Sequence, residues 1–252
     1  MTIRYYMQSE QLVAGISLKN VQLAEENNLA LHVCKTEDAI LQNRHLLLAQ
    51  LKCDATQLVC ANQTHSAHFH KVTAADAGRG ATTLTDAIPN TDALYTFEKN
   101  IVLSSFTADC VPVILYSQTD GLIGVVHSGW QGTVKEITRK LLEHLKQVEQ
   151  IDLTNVKIII GPALSQRKFE VDKDVYDQFV ALGYAESFMY FKEATKKYHI
   201  DNQLTVKKQC LISGVPETNI TIDPMCTFES EEYFSYRQNP GTGRHLTFIL
   251  QK

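Results

Sequence analysis

Residues 101–117 read IVLSSFTADCVPVILYS, residues 118–121 QTDG, and residues 122–133 LIGVVHSGWQGT. Two apolar, β-branched runs flank a turn-forming tetrapeptide, the pattern of paired buried strands. Cys110 lies in the middle of the first run and His127 near the end of the second. Gly129 and Gly132 then bracket Trp130, the single tryptophan of the chain. Thr133 followed by Glu136 has the spacing of a capping box, in which threonine accepts from the third helical N–H and glutamate reaches back. Val134, Ile137, Leu141, Leu142, Leu145 and Val148 continue at helical spacing. The stretch therefore predicts strand, strand, glycine loop and helix. It also brings a thiol and an imidazole close to the start of that helix.

Working outward, 252 residues suffice for an ample core. A net charge of −4 carries no basic footprint for nucleic acid. No apolar run approaches the roughly 20 residues of a membrane helix, and the opening MTIRYYMQSE lacks the apolar centre of a signal peptide. A cytoplasmic protein with neither nucleic acid nor membrane as partner is expected. The six cysteines, at 34, 53, 60, 110, 210 and 226, show no CxxC spacing and read as free thiols.

Upstream, LVAGISL and NLALHVC read as short strands, and a helix is expected from Thr36 to about Leu51 with Asn43-Arg44 inside it. Taken alone, Arg44 reads as a solvated surface arginine. Gln57 to Cys60 resembles a short strand leading to Gln63-Thr64-His65. A regular strand through 64–72 would put His68 and His70 on one face and His65 on the other. Residues 73–90 read as a loop. Downstream, VKIIIGP (156–162) is a buried strand. Helices are expected from Asp172 to Leu182, stopped by Gly183, and again up to Gly214. NITIDPMCTF and the C-terminal run after Asn239-Pro240-Gly241 supply further strands. Helices and strands alternate irregularly, so one mixed α/β domain over 1–252 is favoured.

His65, Cys110 and His127 are candidate metal ligands. Zinc takes thiolate and imidazole, and a catalytic zinc keeps three protein ligands and an open position. A cysteine in an apolar strand is ordinarily core. However, Thr107-Ala108-Asp109 interrupts a strand pattern that would otherwise continue, as functional sites often do. The glycines before the helix could also present N–H groups to phosphate, although no Gly-Lys-Ser/Thr of a Walker loop follows; a tight strand-to-helix connection explains them equally well.

Together, QTH (63–65), TDAL (91–94), TADCVPVIL (107–115), HSGWQGT (127–133), GPALSQRKFEV (161–171), IDNQL (200–204), CTF (226–228) and FSYRQNPGTGR (234–244) resemble the laccase-domain family. Its members are also described as multicopper polyphenol oxidases, purine nucleoside phosphorylases and peptidoglycan editing factors. Asn43-Arg44 fits the family's Asn-Arg pair. The run GISLKNVQLAEENN departs from the family's Thr-Arg and paired-glycine segment, which implies a different pocket entrance. The resemblance implies a four-layer α/β/β/α sandwich, similar to toxin deamidase domains, and a zinc site on His65, Cys110 and His127. It implies phosphorolysis of adenosine, inosine, guanosine and methylthioadenosine, with adenosine deamination in some members. On this basis Arg44 is expected to touch phosphate or ribose, with Arg237 and Arg244 as further substrate contacts. Asp109 is expected beside the metal, holding a ligand histidine or a substrate hydroxyl.

Three chemistries compete: a zinc enzyme acting on purine nucleosides, a copper phenol oxidase, and a metal-free Cys110–His127 hydrolase acting on peptidoglycan amides. Multicopper oxidases draw on four His-x-His pairs. This chain has nine histidines and one such pair, His68-Phe69-His70, so copper is disfavoured.

Overall fold

The computed structural model describes residues 2–252. The strands are β1 (Ile3–Gln8), β2 (Leu12–Ser17), β3 (Leu58–Val59), β4 (Phe69–Lys71), β5 (Ala93–Thr96), β6 (Val102–Thr107) and β7 (Val111–Ser117). They continue with β8 (Leu122–Ser128), β9 (Lys157–Ile160), β10 (Glu170–Val171), β11 (Met189–Lys192), β12 (Lys197–Ile200), β13 (Ile220–Ile222) and β14 (His245–Gln251). The helices are α1 (Glu37–Leu51), α2 (Trp130–Val134), α3 (Ile137–Gln147), α4 (Lys173–Val180) and α5 (Asn202–Ser213).

The first apolar run of the central stretch is two strands. β6 belongs to a five-stranded sheet ordered β1-β2-β14-β6-β3, and β7 to a six-stranded sheet ordered β13-β9-β7-β8-β5-β4. The chain changes sheets at residues 108–110, where Asp109 takes a φ of +81°. The two sheets pack face to face. Leu12, Ala14, Val59, Leu103 and Ile249 meet Leu94, Ile114, Ile123, Val125 and Ile159 in the layer between them. Alternate residues of the same strands point outward. Val13, Val102, Leu246, Phe248 and Leu250 cover Leu47, Leu48 and Leu51 of α1. On the other side Val111, Val113, Leu115, Leu122 and Val126 meet Ile137, Leu141, Leu142 and Leu145 of α3, with Val206 and Cys210 of α5. Both faces of each central strand are apolar because both are covered. This is the α/β/β/α sandwich that the family resemblance implies. A third sheet, β10-β12-β11, packs with α4 into a smaller cluster that reaches Trp130 and Val134.

Three local expectations give way. NLALHVC is not a strand: Leu31–Val33 forms a single 3-10 turn. The Asn28 side chain accepts from Ala30 N and donates to the carbonyl of Val33, local bonds that replace strand pairing. Residues 64–68 lie in a loop, with β4 confined to Phe69–Lys71. The helix after Gly129 is broken, and Glu136 takes a φ of +61° with no side-chain cap. Thr133 bonds to the Ser128 hydroxyl instead, at 2.9 Å. Glu136 turns to Arg139 and Tyr184, so the capping box does not form.

Candidate metal centre

Each candidate ligand comes from a different segment, and a backbone irregularity aims two of them. Cys110 ends the sheet-changing turn. Asp109 is held in its left-handed conformation, uncommon for a non-glycine residue, because its carboxylate accepts from Thr227 Oγ1 (2.6 Å), Ser235 Oγ (3.1 Å) and Arg237 N (2.6 Å). His65 is also left-handed, with φ +56°, which turns it out of any strand register with His68 and His70. His127 lies on β8 opposite Pro112 of β7, one residue after the partner of Val113.

These turns bring the three side chains together. The ligand atoms of His65, Cys110 and His127 lie within 4.8 Å of one another. Cys110 Sγ is 3.8 Å from His65 Nε2, and the two imidazole rings stand 4.7 Å apart at 69°. A tetrahedral zinc holds sulfur and nitrogen ligands roughly 3.5 Å apart, so a small closure would complete a site. Space for it depends on Gly129. A Cβ there would lie 2.7 Å from His65 Cδ2 and 2.9 Å from Cys110 Sγ. Gly129 has φ −61° and ψ 164°, a conformation open to any residue, so the constraint is room rather than backbone freedom.

Asp92 organises the centre. It is 2% exposed, and its Oδ1 accepts from His127 Nδ1 at 2.8 Å and from the His65 amide at 3.0 Å. Its Oδ2 accepts from the amides of Thr64 and Ser66 and from Ser66 Oγ. Holding the proton on His127 Nδ1 leaves the Nε2 lone pair for a metal. Burial opposes charge on Asp92, but the His127 and Ser66 bonds outweigh it and keep the carboxyl well below its ordinary range. Burial likewise opposes a Cys110 thiolate, yet the charge and hydrogen bonds of His127 and His65 bring the thiol down to about 6. Burial opposes charge on His127 too, but Cys110 and Asp92 raise it to about 9. At pH 7 its Nε2 therefore carries a proton that a bound metal would displace, leaving the thiolate and imidazole donors zinc requires.

Asp92, not Asp109, therefore holds His127, the candidate ligand. Asp109 lines the cavity but spends its carboxylate on the Thr227 and Ser235 loops. Asp92 lay inside the quoted TDAL run. Its signal was a carboxylate directly before a buried strand, a place where charge needs partners.

The triad opens into a cavity of about 690 Å³. Trp130, Leu164, Phe169, Val171 and Val175 give it apolar walls, and His32, Gln63, Asn202, Arg237 and Arg244 give it polar ones. Arg237 donates Nη1 to the carbonyls of Lys168 and Glu170, and Arg244 donates Nη1 to those of Thr242 and Gly243. Neither arginine pairs with a carboxylate among the described residues. Arg44 is elsewhere. It is 2% exposed and donates to the carbonyls of Leu29, Gly80 and Ala81 at 2.7–2.8 Å. Its guanidinium lies 5.2 Å from the centre of the Phe106 ring, and it does not line the cavity. The contact with phosphate or ribose expected of Arg44 is corrected accordingly. A phosphate seat at the helix start also falls, because α2 is only five residues long. His68 and His70 are engaged with Asn90 and Asp76, so the single His-x-His pair adds nothing to the triad.

The family model for the multi-copper polyphenol oxidoreductase laccase matches residues 13–252. Purine nucleoside phosphorylase YlmD of Bacillus subtilis strain 168 is 33% identical over 251 residues, covering 97% of this chain and 90% of that protein. YlmD of Geobacillus stearothermophilus is 34% identical over 225 residues, covering 88% of this chain and 82% of its own. The crystal structure of the latter superposes with a TM-score of 0.90 at 30% identity over the whole of both chains. Protein YfiH of Bacillus licheniformis gives a TM-score of 0.91 at 28% identity, covering 98% of this chain and 99% of that one. On this sequence match, fold and cluster of site motifs, the chain belongs to the laccase-like multi-copper polyphenol oxidoreductase family.

Proposed function

We propose that this chain is a zinc-dependent purine nucleoside phosphorylase acting on adenosine, inosine, guanosine and methylthioadenosine. The same cavity would also deaminate adenosine hydrolytically. The observation that carries the reading is the union, in one cavity, of a pre-aimed His65–Cys110–His127 triad with two arginines that lack carboxylate partners. The triad suits zinc, and the arginines suit an anionic co-substrate. The naming of the YlmD relatives supports the purine and phosphate assignment. The free cysteines agree with a reducing, cytoplasmic setting.

In phosphorolysis a phosphate oxygen bonds to ribose C1′, the bond from C1′ to the base nitrogen breaks, and the base leaves with the proton that the phosphate gives up. Arg244 and Arg237 would hold the anion and offset its charge. Trp130, Phe169 and Val171 would bury the purine and exclude water. Asp92 would orient the triad by holding His127 at Nδ1 and the His65 amide. A zinc ion held by the triad supplies a Lewis acid for polarising substrate. Copper is disfavoured, since the described residues offer one three-ligand cluster and no set of His-x-His pairs.

The test is metal analysis together with incubation of zinc-loaded protein, inosine and phosphate. Hypoxanthine and ribose 1-phosphate are expected, and inosine is expected from adenosine. A second reading rests on the lowered Cys110 thiol beside His127: a metal-free hydrolase acting on peptidoglycan amides. Metal-free protein that cleaves such an amide through a Cys110 thioester, while leaving nucleosides intact, would favour it.

A further inference from the structure

We propose that His32 and Arg244 form an anion subsite beside the triad, and that this pair seats the phosphate. The inference rests on the phosphorylase reading for its ligand and on independent geometry for its place. His32 lies on the 3-10 turn of Leu31–Val33, which the Asn28 side chain closes. The same Asn28 Oδ1 that accepts from Ala30 also accepts from the Arg244 amide at 2.9 Å, and Leu29 N donates to the Arg244 carbonyl. Two segments more than 200 residues apart are thus tied by one backbone bond and by the Asn28 side chain. A side chain at Gly243 would break the tie, since its Cβ would meet Asn28 Cβ at 2.7 Å.

Both side chains are uncommitted toward the cavity they line. The His32 side chain makes no hydrogen bond among the described residues. Its ring stands edge-on to Phe106, 6.1 Å away, with Arg44 on the same phenyl ring. Arg244 keeps Nε and Nη2 free after its two carbonyl bonds, and it rests over Tyr236. Burial, then the charges of Arg244, Arg44 and His127, push His32 down to about 4, so the ring is neutral at pH 7 in a positive field. An anion relieves that field. Phosphate near neutrality presents charged oxygens to a guanidinium and a P–OH or an oxygen to a neutral imidazole, which can accept or donate.

The experiment is calorimetric titration of inorganic phosphate into the whole protein, wild type against His32→Phe, His32→Gln and Arg244→Met. Steady-state kinetics with inosine run alongside. Phenylalanine keeps the ring packing against Phe106 and deletes both nitrogens. His32→Phe and Arg244→Met are each expected to weaken phosphate roughly tenfold or more, the loss of a hydrogen bond to a charged group. In His32→Phe the KM for phosphate rises while that for inosine is nearly unchanged, and His32→Gln recovers most of the affinity. Equal phosphate binding by His32→Phe and wild type overturns the subsite, as does wild-type protein that binds no phosphate. Phosphate binding that His32→Phe loses, in a protein that cleaves no nucleoside, keeps the subsite and refutes the phosphorylase reading.

Discussion

Replacing Asp92 by asparagine tests the centre at the residue on which it turns. The carboxylate accepts at both oxygens, two donors at Oδ1 and three at Oδ2. Asparagine has one acceptor and one donor, so its NH2 must oppose one set. With NH2 in the Oδ2 place, the amides of Thr64 and Ser66 lose their acceptor. With NH2 in the Oδ1 place, the His65 amide loses its acceptor and His127 must accept at Nδ1. That second arrangement moves the imidazole proton to Nε2, where it blocks a metal. Either way two bonds to a charged acceptor go, at roughly 1.5–3 kcal/mol each, so a loss of about 3–6 kcal/mol of folding stability is expected. Zinc affinity should fall roughly 10–100-fold, as for other partners of metal-bound histidines. Urea unfolding of metal-free protein measures the first quantity and chelator competition the second. An Asp92→Asn protein that binds zinc as tightly as wild type would show that the hydrogen bond does not set the histidine tautomer.

Gly129→Ala keeps a permitted backbone but drives a methyl against His65 and Cys110. It should fold normally and bind zinc at least about tenfold more weakly; unchanged affinity in the chelator assay would contradict the spatial constraint. Arg44→Met strips three buried carbonyls of their donor, and urea unfolding should register a loss of roughly 3 kcal/mol or more. A variant of full stability would return Arg44 to the cavity as a candidate. His245 is buried with Nδ1 2.7 Å from the Ser17 carbonyl, while its Nε2 accepts from Phe234 N at 2.7 Å. A second ring proton would face an N–H, and burial pushes this histidine down to about 4. The folded pKa lies below the unfolded value of about 6.5, so the unfolded chain binds more protons between them. Stability should hold above pH 6.5 and fall by up to about 3 kcal/mol as pH drops toward 4. His245→Gln should flatten that slope in urea unfolding at pH 4.5, 5.5 and 7, and an unaltered slope would assign the acid loss to other groups.

The layers were legible because burial on both faces writes itself into the strands. Leu246, Phe248 and Leu250 face α1 while Ile249 faces the second sheet. The run therefore reads as continuously apolar, which marks a central strand without saying which sheet it joins. The interruption at Thr107-Ala108-Asp109 marked where residues 101–117 divide but not that the halves part company: only the tertiary pairings of Thr107 with His245 and of Val111 with Ser128 place them in different sheets. The helix break at Glu136 was hidden for a related reason. Val134 and Ile137 keep helical spacing across it, and the break answers to the Ser128–Thr133 bond, a contact no local propensity encodes.

The grouping of His65, Cys110 and His127 was legible from residue type and motif, whereas the residues that aim them were not. A regular strand would have turned Cys110 and Asp109 to opposite faces and set His65 against His68. The protein escapes that alternation by placing non-glycine residues at positive φ beside two of the ligands, a local cost held in place by tertiary bonds. Asp109 is fixed from Thr227, Ser235 and Arg237, and the His65 loop from Asp92 and Lys135. None of these bonds involves a ligand atom of the triad. The loops are thus set by contacts that exist without a metal. Asp92 takes part in both tasks, since one carboxylate fixes the His65 backbone and the His127 ring. The histidine-holding role was expected of Asp109 because it adjoins Cys110, whereas Asp92 stands 35 residues before His127 in the chain.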